Sequence, residues 1–171
     1  MNRLATDDSP LWRFSLALYG QADVPAACLR LQDECGADVN VMLFALFLAR
    51  AGRLIDSGDV DRMEAVVAPW RDDVVRPLRA VRRVLKSPPK QFKNEGTQSL
   101  RAAVQRIELE AEHLQQLALE RALPAQAVGV TEAANQDCAA RNLRLYAQRL
   151  GGFPEAPVAL ILRRLDDIRV E

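Results

Sequence analysis

Histidine occurs once in these 171 residues, cysteine three times, and aromatic side chains make up only 5% of the chain. Each shortage excludes a class of function. Glu110-Ala-Glu-His113 matches the Glu-x-x-His element of di-iron bundles, but that centre needs two such elements and His113 is the sole histidine. The same scarcity leaves His113 as the only base for a serine or cysteine dyad. Cys28, Cys35 and Cys138 lack metal-type spacing. Cys28 and Cys35 stand seven apart on one expected helix, about 10 Å between Cα atoms and too far for a disulfide. All three are expected reduced and buried. No glycine-rich phosphate loop exists, and Gly151-Gly152 reads as a helix break.

Long apolar runs are also missing. The longest uncharged one, Val41 to Ala49, covers nine residues, whereas a membrane span needs about 20. Met1 to Asp8 has no apolar core ahead of Asp7 and Asp8, unlike a signal peptide. A cytoplasmic protein without membrane association is the expectation. Net charge is zero, from 23 cations and 23 acids, which argues against a globally basic polyanion binder and against an acidic tail. No cofactor or metal is expected.

What the sequence has in abundance is helical periodicity. Ser9-Pro10 opens a first helix with a cap and a first-turn proline, and Gly20 is expected to stop it in the left-handed conformation. Asp23 is expected to cap a second helix from Val24 to Cys35, ended by Gly36, and Asp38 a third from Val39 to Ala51, closed by Gly52. The third is apolar on every side, which marks a helix that others surround. From Asp59, the stripe Met63, Val67, Trp70, Val74, Leu78, Val81 and Leu85 keeps phase across Pro69 and Pro77, so one kinked helix is expected up to Ser87. Residues 96–123 form the longest helix, with the stripe Leu100, Val104, Ile107, Ala111, Leu114 and Ala118. Two C-terminal helices occupy 131–169, the first capped by Thr131 and the second starting at Pro157. The expected fold is all-α: a compact bundle of about seven helices around the apolar helix 39–51, with no sheet. Residues 1–8 read as a flexible terminus and 9–171 as one domain.

Two groups of residues depart from a plain bundle. Arg76, Arg79, Arg82, Arg83, Lys86, Lys90 and Lys93 fall in a stretch, 74–94, that contains no acid. Those on the helix cover an arc of roughly 120°. They form a face for a protein partner or a phosphate backbone, unless Glu108, Glu110, Glu112 and Glu120 on the next helix pair with them internally. The second group is Trp12, Asp33, Asp38 and Asn40, a polar cluster among the short helices. It reads as helix capping or as the lining of a small-molecule pocket. Asp33, one turn from Leu29, is the member that capping explains least. The aspartate pairs Asp72-Asp73 and Asp166-Asp167 lack a further carboxylate at helical spacing on the same face and read as structural.

Several separated motifs resemble a known family. Leu11-Trp12-Arg13-Phe14-Ser15, Leu31-Gln32-Asp33, Gly36-Ala37-Asp38-Val39-Asn40 with Leu43-Phe44, and Ala68-Pro69-Trp70-Arg71 with Val75-Arg76-Pro77-Leu78-Arg79 resemble a conserved domain of unknown function in small proteobacterial proteins. The resemblance covers roughly residues 10–125. It implies a bacterial, cytosolic, helical protein and carries no activity.

With no catalytic set in view, the expected function is a non-catalytic interaction protein, an adaptor or regulator that binds a protein through the Arg76 to Lys93 face. Nucleic-acid binding by the same cations, or a small-molecule site around Asp33, Asp38 and Asn40, are the alternatives.

Overall fold

The computed structural model describes residues 9–168; the expected flexible segment 1–8 lies outside them. Three short helices come first: α1 (Pro10–Tyr19), α2 (Val24–Cys35) and α3 (Val39–Arg50). Ser9 accepts a hydrogen bond from the Trp12 amide and caps α1, while Asp38 accepts from the Asn40 and Val41 amides and caps α3. Two expected caps differ. Asp23 is itself left-handed (φ 67°) and its side chain makes no capping bond, and Gly20 is right-handed (φ −73°). The turn between α1 and α2 is reversed by Asp23 instead, a residue type that tolerates the left-handed region better than most.

Helix α4 (Ser57–Trp70) continues through a π-helical segment (Arg71–Val75) into α5 (Arg76–Lys86), one run with no chain reversal. The prolines explain the interruption. Pro77 has no N–H, and its ring would clash with the carbonyl four residues back in an ideal helix. The turn before it widens, and the Arg76 amide bonds the Arg71 carbonyl five residues earlier. That wider turn shifts the phase of the stripe, so Val75 is buried where the unbroken count predicts Val74.

Helix α6 (Glu95–Ala122), capped by Asn94, lies against α5, α4, α1 and α3. Its buried face is Val104, Glu108, Ala111, Gln115, Gln116 and Leu119. The predicted stripe is therefore rotated, by about 80°: Leu100, Ile107 and Leu114 are exposed. Polar groups on α1 and α3 await the glutamines, and a buried amide with a partner costs little. Beyond Pro124 come α7 (Gln136–Arg149) and α8 (Glu155–Asp167). Asn135, not Thr131, caps α7.

Thr131 belongs to a small sheet that corrects the expectation of none. Strands β1 (Arg53–Leu54) and β2 (Val130–Thr131) pair antiparallel. Arg53 donates to the carbonyls of Gln126, Val128 and Gly129 and to the Thr131 hydroxyl, which ties down the loop before α7. Gly129 is required there: its φ is +66°, and a Cβ would sit 2.4 Å from the Leu54 carbonyl oxygen.

The fold is essentially all-α, and α3 runs through its centre. Nine of the twelve residues of α3 are buried. α1, α4, α6 and α7 all pack on α3, and α8 packs on α2. Leu143, Tyr146, Ile161 and Leu165 bring α7 and α8 into the same apolar cluster as Leu11, Phe14 and Phe44. Among the described residues no helix is long and apolar enough to cross a membrane.

Candidate functional site

Asp38 is where the chain's polar logic converges. Its Oδ1 holds the first turn of α3 (2.9 Å to the Asn40 amide). Its Oδ2 accepts from Gln115 of α6 at 2.8 Å and from Arg71 at 3.5 Å. Its own amide donates to the Tyr146 hydroxyl of α7 at 2.9 Å. One capping carboxylate thus joins α3, the π-segment, α6 and α7. Burial first, then the charge of Asp38, pushes the Tyr146 hydroxyl's pKa above the ordinary value, so the phenol stays neutral.

Beside it, Asn40 accepts from Gln116 at 2.8 Å, and Gln116 accepts from the Ser15 hydroxyl at 2.9 Å. This amide ladder explains why α6 turns its glutamines inward. Arg71 is 15% exposed and donates to Glu64 at 2.8 Å and to Asp72 at 3.1 Å. Burial opposes its charge, but Glu64, Asp72 and Asp38 outweigh that and raise its pKa above the ordinary guanidinium value.

The seven cations divide into three groups. Arg79 and Arg82 turn inward and converge on Glu108, a carboxylate of α6 only 5% exposed. Arg79 also bonds Glu112 at 2.7 Å. Hydrogen bonding to Glu108 raises the Arg82 pKa, and burial raises that of Glu112 against the opposing pull of Arg79. Internal pairing, the counter-reading of the basic face, accounts for these two arginines. Arg76 and Arg83 are exposed, each in a solvent-facing pair, with Asp72 and Asp33 respectively. Such pairs contribute little, ~0–1 kcal/mol. Lys86, Lys90 and Lys93 are exposed at the tip of the α5–α6 hairpin and make no ion pair among the described residues.

Asp33 is exposed and bridged to Arg83 at 2.6 Å, an ion pair rather than a helix cap. The end of α2 projects it toward α5 rather than into the core. Trp12 is half-buried and stacks on His113, ring centroids 4.2 Å apart. Among the described residues no group of three or more His, Cys, Asp or Glu is placed to hold a metal ion.

Tertiary structure brings the two sequence-predicted groups to one place. A cavity of about 480 Å³ between the α2–α3 junction and α5 is lined by Asp33, Asp38 and Asn40 together with Arg76, Arg79 and Arg83. A neighbouring cavity of about 300 Å³ takes in Trp12, Asn40, Arg79 and Arg82. Sequence reasoning missed Arg71, Gln32 and Gln115, which line the first cavity, whereas Glu108, which anchors the arginines, was among the acids weighed as internal partners. The available signal was weak: Gln115-Gln116 is a polar pair within a helix otherwise read by its leucines.

The arrangement defines a helical protein with a polar, arginine-bearing cleft beside a basic hairpin tip. The chain belongs to the family described as protein of unknown function (DUF2390), whose profile matches residues 10–119. The matched part holds α1 to α5 and nearly all of α6, hence every residue of both cavities and of the hairpin tip. No curated protein and no solved structure matches the chain.

Proposed function

We propose that this protein is a non-catalytic helical interaction protein that docks an acidic protein partner on the α5–α6 hairpin. One observation carries the reading. Helix α5 buries none of its eleven residues, although it is strongly amphipathic. Val81, Val84, Phe92 and Leu100 are 48–64% exposed beside Lys86, Lys90 and Lys93. Exposed apolar side chains on the same hairpin as uncommitted cations are the surface chemistry of a protein interface. A nucleic-acid backbone would use the cations and leave the valines and Phe92 unexplained. Two of the seven cations are also held by Glu108.

The test is capture of partners by the full chain and by the triple variant K86E/K90E/K93E. These side chains are exposed, so the variant keeps its circular dichroism and melting temperature. Loss of a partner retained by the wild-type chain, with restoration by the triple arginine variant, is the expected result. Identical capture by all three proteins would remove the hairpin tip as the contact. Salt-dependent binding of the wild-type chain to a DNA duplex, abolished in the glutamate variant, would favour nucleic acid instead.

A further inference from the structure

The two cavities behind α5 differ in chemistry, and together they describe one ligand. The larger is lined by four guanidiniums, Arg71, Arg76, Arg79 and Arg83, and by two carboxylates, Asp33 and Asp38, and each guanidinium already holds an ion pair. Each guanidinium keeps a nitrogen with no partner among the described residues: Nη2 of Arg71 and Arg76, Nη1 of Arg79 and Arg83. Planar guanidiniums with spare donors suit the oxygens of a carboxylate or phosphate.

Two side-chain amides on the lining of the larger cavity each keep an unpartnered atom. Gln115 is 1% exposed; its Nε2 is spent on Asp38, and its Oε1 has no partner among the described residues. Gln32, on the same cavity, buries an Nε2 that also lacks one. Orphaned buried amide atoms are unfavourable, and native proteins rarely keep them without a partner in the protein, an ordered water or a ligand.

The smaller cavity adjoins the larger, sharing Gln32, Val39, Asn40 and Arg79. It supplies apolar surface from Trp12, Leu16, Leu29 and Leu43. Leu16 and Leu29 are 51% and 43% exposed there, each on a helix whose other leucines are buried. Its charged residues cancel, since Arg79 and Arg82 pair with Glu108 and Glu112. The joint volume is in the range of metabolite sites.

We infer that the cleft between α2–α3 and α5–α6 binds a small amphipathic organic anion, its carboxylate or phosphate head among the four arginines and its apolar body against Trp12, Leu16 and Leu29. This site is independent of the lysines at the hairpin tip.

Thermal-shift and calorimetric titrations of the full chain test it with phenyl phosphate, phenylacetate and octanoate. Inorganic phosphate serves as head-only control and benzyl alcohol as body-only control, all at matched ionic strength. At least one two-part probe should raise the melting temperature beyond the combined effect of the controls. Its Kd should weaken tenfold or more in both R76Q/R83Q and L16Q/L29Q, whose altered side chains are exposed and whose fold circular dichroism verifies. The stronger of phenyl phosphate and phenylacetate identifies the head group. Failure of all three probes, a shift matched by inorganic phosphate or benzyl alcohol alone, or binding that survives R76Q/R83Q overturns the inference. K86E/K90E/K93E should bind the probe as wild type does, which keeps this test apart from that of the partner surface.

Discussion

Glu108→Ala tests the contact that holds the hairpin to the core. Arg79 and Arg82 donate three hydrogen bonds to this carboxylate, two at 3.1 Å and the Arg82 Nε contact shorter. Charge-assisted bonds contribute about 1.5–3 kcal/mol each, so simple addition gives about 5–9 kcal/mol. That sum is too large, because the arginines are 19% and 24% exposed and can turn to water once Glu108 is gone. Arg79 also keeps Glu112. Breaking one side of a buried ion pair costs about 3–5 kcal/mol, and the escape of both guanidiniums puts this case near about 3 kcal/mol.

The location of the loss is the sharper prediction. Because α5 buries no residue of its own, its attachment to α6 leans on this pair, and it should open locally before the core unfolds. Native-state hydrogen exchange should accelerate about 100-fold for amides of residues 76–86, given tenfold per 1.4 kcal/mol. Amides of α3 should be unchanged under the same conditions. Glu108→Gln, which retains an acceptor but no charge, should fall between. Unaltered exchange in α5, or acceleration spread evenly through α3 and α7, would refute the assignment of Glu108 as the local anchor.

Two further outcomes follow from burial elsewhere. Asn142 is fully buried and bonds the carbonyls of Ala45 (3.0 Å) and Arg53 (2.9 Å) and the amide of Ile55 (3.1 Å). Asn142→Ala should lower unfolding free energy by about 3 kcal/mol, one per bond; a urea midpoint equal to wild type would contradict that role. Burial pushes the Cys28 thiol up to about 12, and Cys138 is raised by the same cause, while Cys35 is half-buried. Iodoacetamide at pH 8 should therefore modify Cys35 first in the native protein, and mass spectrometry showing Cys28 modified at an equal rate would rule this out.

Elements governed by local rules were legible in the chain. The proline at the start of α1, the Asp38 cap and the all-apolar run of α3 each depend on neighbours within a few residues, and they stand as read. The continuous helix across Pro69 and Pro77 was readable too, since an apolar stripe that keeps phase records a continuing helix. The one-residue phase slip was not, because a π-turn answers a steric clash that a periodicity count ignores.

The sequence by itself determined the helical class, the central position of α3 and the residue types of both candidate groups. Only tertiary structure decided which face of α6 is inward. Leu100, Ile107 and Leu114 outbid the glutamines on hydrophobicity alone, yet Gln115 and Gln116 are the buried ones. The reason is that Asp38, Asn40 and Ser15 present partners to them, and a hydrogen-bonded amide loses most of its penalty for leaving water. That rotation also carries Glu108 inward to Arg79 and Arg82, and packing of α5 against α6 joins the basic stretch to the polar cluster around one cleft. No spacing in the chain encodes a meeting of residues 33 and 83, which lie fifty positions apart; it follows from where the helices pack.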